Sequence, residues 1–199
     1  QGNIVNNNTR DLLTSLETVN LSQFGSVANE TDKVTLNVNL PSNRTAGQSN
    51  TTNVTVFDSQ GNDYLLATTF TKSAAANTWT YTYTLTDVGT STAIATTAAR
   101  TMVFNADGSI NIVNGTTGTS NTPATDALTF TAAQITAGIA TRVVDDLDMT
   151  INFGTYDQTS GTSQFDDAFA ASLLNQDGSG PSPLTAVNIS DDGLVSAQF

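Results

Sequence analysis

The stretch Asn77-Thr78-Trp79-Thr80-Tyr81-Thr82-Tyr83-Thr84-Leu85 decides the fold class. Trp79, Tyr81, Tyr83 and Leu85 fall on one side of a pleated ribbon, with Thr78, Thr80, Thr82 and Thr84 on the other. Successive side chains of a strand point to opposite faces, so this is a strand with one dry face and one wet one. An aromatic ladder of this kind serves either as a binding platform or as the buried face of a hairpin. Cross-strand aromatic pairs are worth about 0.2–1 kcal/mol each, and burial is the expectation here.

The same period recurs along the chain. Val34, Leu36, Val38 and Leu40 alternate with Thr35, Asn37 and Asn39 until Pro41 stops the run. Val54 to Phe57 forms the next strand, and Tyr64, Leu66, Thr68 and Phe70 continue the alternation after a turn at Asp58 to Asn62. Residues 72–77 (KSAAAN) read as a further turn. Arg100 to Val113 reads as a hairpin around Asn-Ala-Asp-Gly. Strands are also expected at 127–130 (ALTF) and in DDLDMTINF, where Leu147, Met149, Ile151 and Phe153 share a face. Segments 42–53, 87–99 and 114–126 are polar and loop-like, the middle one being a loop or a weak edge. Three stretches have a different spacing. Residues 131–142 stay open between a short helix and irregular chain, and 164–178 have the helical spacing of a short helix or compact turn. Residues 10–19 (RDLLTSLETV) suit a turn or two of helix after Asn8 or Thr9. The tally of about eight to ten short strands predicts an all-β fold, an antiparallel sandwich or barrel-like domain.

Composition agrees. Apolar residues are 38% and charged residues 12% of the 199, and the balance is made up by 36 Thr and 20 Asn. Thr suits the solvated face of a sheet and Asn suits turns. The net charge of −12 would repel a nucleic-acid duplex or an anionic membrane surface, so neither is an expected partner. The chain has no Cys and no His, which removes disulfides, thiolate metal sites and the commonest general base.

Candidate sites are few. In VTVFDSQGN (54–62) a Ser nucleophile at Ser59 would need a base, and without His only Lys33 or Lys72 could supply one. Asp58 and Ser59 bonding to the turn's own backbone, with Gly61-Asn62 tolerating positive φ, accounts for every residue, so the stretch is read as a turn. NADGS (105–109), NQDGS (175–179) and SDDGL (190–194) are read the same way, as hairpin turns. Asp145, Asp146 and Asp148 are the leading cation candidates. On a strand, however, only Asp146 and Asp148 share a face, while Ca²⁺ takes roughly six to eight oxygens. No catalytic, cofactor-binding or metal residue is assigned, no cofactor is expected, and the chain is not read as an enzyme.

Four blocks, in order, resemble bacterial flagellar hook proteins. They are ANETDKVTLNVNLPS (28–42), NVTVFDSQGNDYLLATTFTKSAAANTWTYTY (53–83), RTMVFNADGSI (100–110) and LNQDGSGPSPLTAVNISDDGLVSAQF (174–199). Block 53–83 is similar to the family's V-T-V-Y-D-S-x-G-N turn followed by F-x-K and N-x-W. Block 174–199 resembles Q-D-G followed by L-x-x-x-x-I-x-x-D-G-x-V, with Ser179 where a Tyr often stands. The resemblance implies a structural subunit of the hook, the flexible tube that carries torque from motor to filament. It implies export through the flagellar type III apparatus and an extracellular location in the flagellum. The partners it implies are copies of the chain itself, with hook cap and hook–filament junction proteins as neighbours of the full-length protein. The family's terminal helices build the inner tube. This chain shows neither, so residues 33–186 would be an inserted outer β domain, while 1–32 and 187–199 would be edges of the adjoining inner β domain. Alone, the fragment would be monomeric. Loops 42–53, 87–99 and 114–126 are the expected carriers of sliding subunit contacts. An extracellular adhesin or surface-layer domain is the alternative. A carbohydrate-active enzyme would require the Trp79/Tyr81/Tyr83 face to be exposed.

Overall fold

A computed structural model describes residues 27–182, 184–190 and 195–198. The chain divides into two compact units, Val27–Ser182, and Gln1–Ser26 with Pro183–Phe199. In the larger unit the strands are β1 (Val27–Asn29), β2 (Lys33–Asn39), β3 (Ser49–Phe57), β4 (Asp63–Lys72), β5 (Thr78–Asp87), β6 (Ala93–Thr96) and β7 (Arg100–Phe104). They continue with β8 (Ile110–Val113), β9 (Thr116–Thr117) and β10 (Pro123–Phe130), a helix α1 (Ala132–Gly138), β11 (Leu147–Thr155), β12 (Ala170–Gln176) and β13 (Ser179–Ser182). In the smaller unit β14 (Ala186–Ile189) pairs antiparallel with β15 (Val195–Gln198). The SDDGL turn between them falls mostly outside the described residues, as does the helix expected at 10–19.

Two sheets hold the larger unit together. The first runs β3-β4-β5-β7-β8-β9, with β6 also on β5; the other runs β10-β11-β2-β12. β5 sits in the middle of the first because both its edges are used. β4 pairs along its whole length, from Tyr64 opposite Asp87 to Lys72 opposite Trp79. The other edge is shared, β7 taking Thr78 to Tyr81 and β6 taking Thr84 to Thr86. Trp79, Tyr81, Tyr83 and Leu85 are all buried, and the intervening Thr residues are half-buried on the outer face. Hydroxyl pairs cross that face, Thr51 to Thr69 at 2.9 Å and Thr84 to Thr96 at 3.0 Å.

The two dry faces meet in one apolar core. Phe153 of the four-stranded sheet lies edge-on to Tyr81 and Phe70 of the larger one, with ring centroids 5.5 and 6.4 Å apart. The architecture is the sandwich, and neither sheet closes into a barrel among the described strands.

Several expectations need correction. Fifteen strands are described rather than eight to ten, the additional ones including the short β1, β6, β9 and β13. β3 begins at Ser49 and β10 at Pro123, inside two supposed loops, since a Thr- and Asn-rich strand on a half-wet edge lacks the apolar alternation that marks a strand. Segment 87–99 holds the weak edge strand β6. The pairing is not wholly antiparallel, for β2 runs parallel to β11 from Lys33 opposite Thr150 to Thr35 opposite Asn152. Segment 164–178 contains no helix. Its Ala170–Gln176 part is β12, which pairs with the free edge of β2, and its helical spacing yields to those backbone bonds. Segment 131–142 does contain a helix, started by a capping box between Thr131 and Gln134.

Trp79 is the only tryptophan and is fully buried. Its native fluorescence should resist acrylamide and become quenchable only in denaturant; native quenching as strong as that of the unfolded chain would contradict the packing. Phe153→Ala should destabilise the fold by about 3–5 kcal/mol in urea titrations, by emptying the space between the sheets.

Candidate interaction surface

The DSQGN stretch closes the β3–β4 hairpin. Asp58 Oδ1 accepts hydrogen bonds from the amides of Gln60 (3.0 Å) and Asn62 (2.9 Å), and Oδ2 from the Tyr64 hydroxyl (2.8 Å). Asp58 is therefore a buried anchor as well as a turn residue, and Ser59 is exposed. NADGS also turns a hairpin, with Asp107 Oδ1 accepting from the Ser109 amide at 3.0 Å. NQDGS does not. It carries the chain from β12, a partner of β2, to β13, a partner of β1.

The aromatic face of β5 is no platform, because polar groups from the opposite side of the core cap it. Trp79 Nε1 donates to Gln164 Oε1 (3.0 Å), and Gln164 Nε2 to Asn77 Oδ1 (3.0 Å). Tyr81 and Tyr83 donate their hydroxyls to Asp126 Oδ2 at 2.8 and 3.2 Å. The same oxygen lies 2.6 Å from Arg100 Nη1, and Asn114 Nδ2 donates to Asp126 Oδ1 at 3.1 Å. A carboxylate taken out of water needs such partners. Asp126 escapes the sequence reading because Pro123, Thr125 and Asp126 itself make the first half of β10 resemble a loop. From Pro123 the inward positions are Ala124, Asp126, Leu128 and Phe130, and one of them is charged.

Another cluster lies at the far end of β5. Arg142 pairs with Asp87 at 2.7 Å and stacks over the Tyr64 ring, 5.0 Å from its centroid. Asp87 Oδ2 accepts from the Thr90 amide (2.7 Å) and hydroxyl (2.6 Å). Burial pushes the Asp87 pKa up, but the Thr90 bonds and Arg142 outweigh it and hold the group below the usual carboxylate value. Burial first, then Asp58, pushes Tyr64 up to about 12. Burial together with Asp126 raises Tyr81, Tyr83 and Tyr156 as well.

The three candidate aspartates diverge. The strand starts at Leu147, so Asp146 stands outside it rather than sharing a face with Asp148. Asp146 Oδ1 accepts from the Ala132 amide at the start of α1 (2.7 Å), and Asp148 accepts from the Thr129 hydroxyl. Asp145 is exposed, and no group of three metal-ligating side chains occurs among the described residues.

The loops expected to make contacts lie at two ends. Segment 42–48 sits at the Trp79 end, where the Gly47 amide donates to the Lys72 carbonyl at 2.8 Å. Segment 114–122 extends toward the same end, the Asn121 amide bonding Tyr156 and Asn105 bonding Asp157. The 88–92 turn is at the opposite end, with the Val88 amide facing the Asp63 carbonyl. Exposed apolar side chains mark both ends, Phe165 beside loop 42–48, and Val88 with Val143 around the Arg142–Asp87 pair.

Residues 26–179 match the family described as flagellar basal body protein FlaE D2 domain. The chain belongs to that family. The match takes in nearly all of the unit Val27–Ser182, so the domain is one fold of the family with its own core. The chain is 31% identical over 184 residues to the flagellar hook protein FlgE of Rhizobium meliloti (strain 1021), covering 92% of this chain and 40% of that one. It thus spans less than half the length of that relative. Similar solved structures are a 32 kDa fragment of the hook protein FlgE from Caulobacter crescentus and the Helicobacter pylori hook protein FlgE2. The Caulobacter fragment has a TM-score of 0.45 at 14% identity, covering 64% of this chain and 46% of that one. The Helicobacter protein has a TM-score of 0.44 at 16% identity, covering 75% and 31%. The family assignment rests on the sequence matches. The resemblance read from the four blocks is borne out by them.

Asp126→Ala should cost about 3–5 kcal/mol, because it strands the Arg100 guanidinium among buried hydroxyls. The pH dependence has two limbs. Asp87 has a folded pKa below its unfolded value of 3.8, so its contribution is present above that pH and lost as pH falls through the folded value. All four tyrosines have raised pKa values, so their contribution is full below pH 10 and lost as pH rises through the folded values, for Tyr64 about 12. A spectrophotometric titration should show no phenolate forming near pH 10 in the native chain; ordinary titration there, with the fold intact, would contradict the buried network.

Proposed function

We propose that this chain is a segment of a flagellar hook protein, a structural subunit of the flexible tubular joint that passes torque from motor to filament. The observation that carries the reading is the family match across a single compact unit. The unit is the inserted outer domain, expected at 33–186, and the flanking residues belong to an adjoining inner β domain. Its partners are further copies of the protein, with the hook cap and hook–filament junction proteins next to the full-length chain, at an extracellular location. Family membership speaks against an adhesin or surface-layer role. Burial of the Trp79 face removes the ground for a sugar platform, and no enzymatic role is proposed.

The surface suits sliding contacts. A deep apolar interface would lock a joint whose subunits shift at each rotation, whereas a small, wet and polar one can be remade. The exposed Thr hydroxyls and loop tips supply such contacts, with isolated apolar side chains at each end of the sandwich. Having loops at opposite ends lets one copy meet neighbours on two sides, the head-to-tail arrangement that extends a helical assembly.

Immunogold microscopy with antibody against this fragment should label only the short segment at the base of each flagellum. Label spread over the cell surface would sink the proposal. Shortening the loop tips at 43–47, 89–91 and 118–121 in the full-length protein should change hook curvature while leaving polymerisation intact. Unchanged curvature would refute their role in subunit contacts.

A further inference from the structure

The two ends of the compact unit meet and are held. β1 pairs with β13, Val27 opposite Ser182 and Asn29 opposite Ser179. This two-chain neck rests on the DSQGN turn. A β-carbon on Gly61 would come within 2.7 Å of both Ala28 Cβ and Pro181 Cδ, and Gly61 has φ +78°, so a side chain is excluded there twice over. The turn is itself fixed to the core through Asp58 and Tyr64. Thr31 is wholly buried: its amide donates to the Phe57 carbonyl (2.9 Å), and its hydroxyl accepts from the Phe57 amide (2.9 Å) and donates to Gln176 Oε1 (3.2 Å). Across from it, Asp177 Oδ1 accepts from the amides of Asp32 (3.0 Å) and Lys33 (2.9 Å), and the Asp177 carbonyl accepts from Asn29 Nδ2 (2.9 Å). A β-carbon on Gly178 would lie 2.2 Å from Thr31 Oγ1.

A segment that only connected two domains would be solvated chain without fixed partners. Here almost every residue of the entering and leaving strands has a named one. We infer that residues 27–33 and 176–182, seated on the Asp58–Asn62 turn and latched by Asp177, form a mechanical clamp. The clamp fixes the directions in which the chain enters and leaves this domain, so load reaches its sheets through a stiff double-chain neck. Asp177 is a positioning residue: its carboxylate gathers two amides of the entering strand and so ties that strand to the leaving one. The mechanical consequence rests on the hook reading; the stiffness of the neck does not.

Amide hydrogen exchange on the unmodified 199-residue chain tests the stiffness first. The amides of Asp32, Lys33 and the β1–β13 pair should be protected. Asp177→Ala should speed their exchange about tenfold or more, since two hydrogen bonds to a charged acceptor are lost, while β4 and β5 stay unchanged. Asp177→Asn should restore protection, because its Oδ1 can accept from the same two amides. Open-chain exchange rates in the unmodified neck, or an Asp177→Asn variant as fast as Asp177→Ala, would overturn the clamp. This readout needs no hook, so it stands apart from any failure of the hook reading. In the full-length protein, Asp177→Ala should give hooks of normal number but altered curvature and weaker swimming. Normal curvature and swimming with a loosened neck would overturn the mechanical role.

Discussion

The Tyr81 side chain holds the two sheets in register. Its ring packs against Phe153 and Phe70, and its hydroxyl reaches Asp126 on the opposite sheet. An apolar sandwich alone would leave the sheets free to slide, since burial is non-directional. The hydroxyl–carboxylate bonds, with Arg100 completing the charge balance, allow one alignment only, because any shift leaves a buried charge unpaired. The Trp79–Gln164–Asn77 chain and the Arg142–Asp87 pair do the same at the two ends of β5. One strand thus carries a polar pin at each end and another in its middle.

That strand is the most legible part of the sequence, because period-two alternation with aromatic residues has one physical reading. Legibility fails where burial is one-sided or absent. β12 lies on a sheet edge with Leu173 and Leu174 exposed, so no dry face imposes alternation and its apolar residues fall at a helical spacing. The first half of β10 is hidden by its Pro, Thr and Asp, which mimic a loop. Missing it also hides Asp126, the carboxylate that joins Tyr81, Tyr83, Asn114 and Arg100. The parallel pairing of β2 with β11 is set by sheet topology between distant residues, and local pattern carries no trace of it. The candidate site is less legible still. The loops can be marked as polar, but their division between two ends requires the register of β4 on β5.

The charge distribution bears on how such domains meet. Of the five cationic side chains described, Arg100 and Arg142 are in ion pairs, Lys72 donates to the carbonyls of Ser73, Ala75 and Thr78, Arg44 bonds Asn50, and Lys33 is exposed next to Asp32. Most of the positive charge is therefore spent inside the domain, while Asp32, Asp145, Asp146 and Asp148 remain exposed at one end. Two copies at a net charge of −12 repel at long range, and at physiological salt that repulsion fades beyond about 8 Å. Contacts must then be short-range, through hydroxyls, amides and the few exposed apolar side chains. A surface of Thr and Asn supplies many weak and nearly equivalent hydrogen-bonding groups. Exchanging one set for the next costs little, which is what the proposed sliding contact would require.

If the domain serves in the proposed joint, its own bonding bears on where compliance can reside. Within the unit, three buried polar pins resist shear between the sheets, and the neck is tied on both sides. Bending strain would break these bonds at a cost of several kcal/mol before the sheets yielded. A rolling contact between Thr-rich surfaces changes only solvated hydrogen bonds, each worth about 1 kcal/mol net and replaceable by water. On the proposed hook reading, the seams between copies yield before the sheets of this domain do.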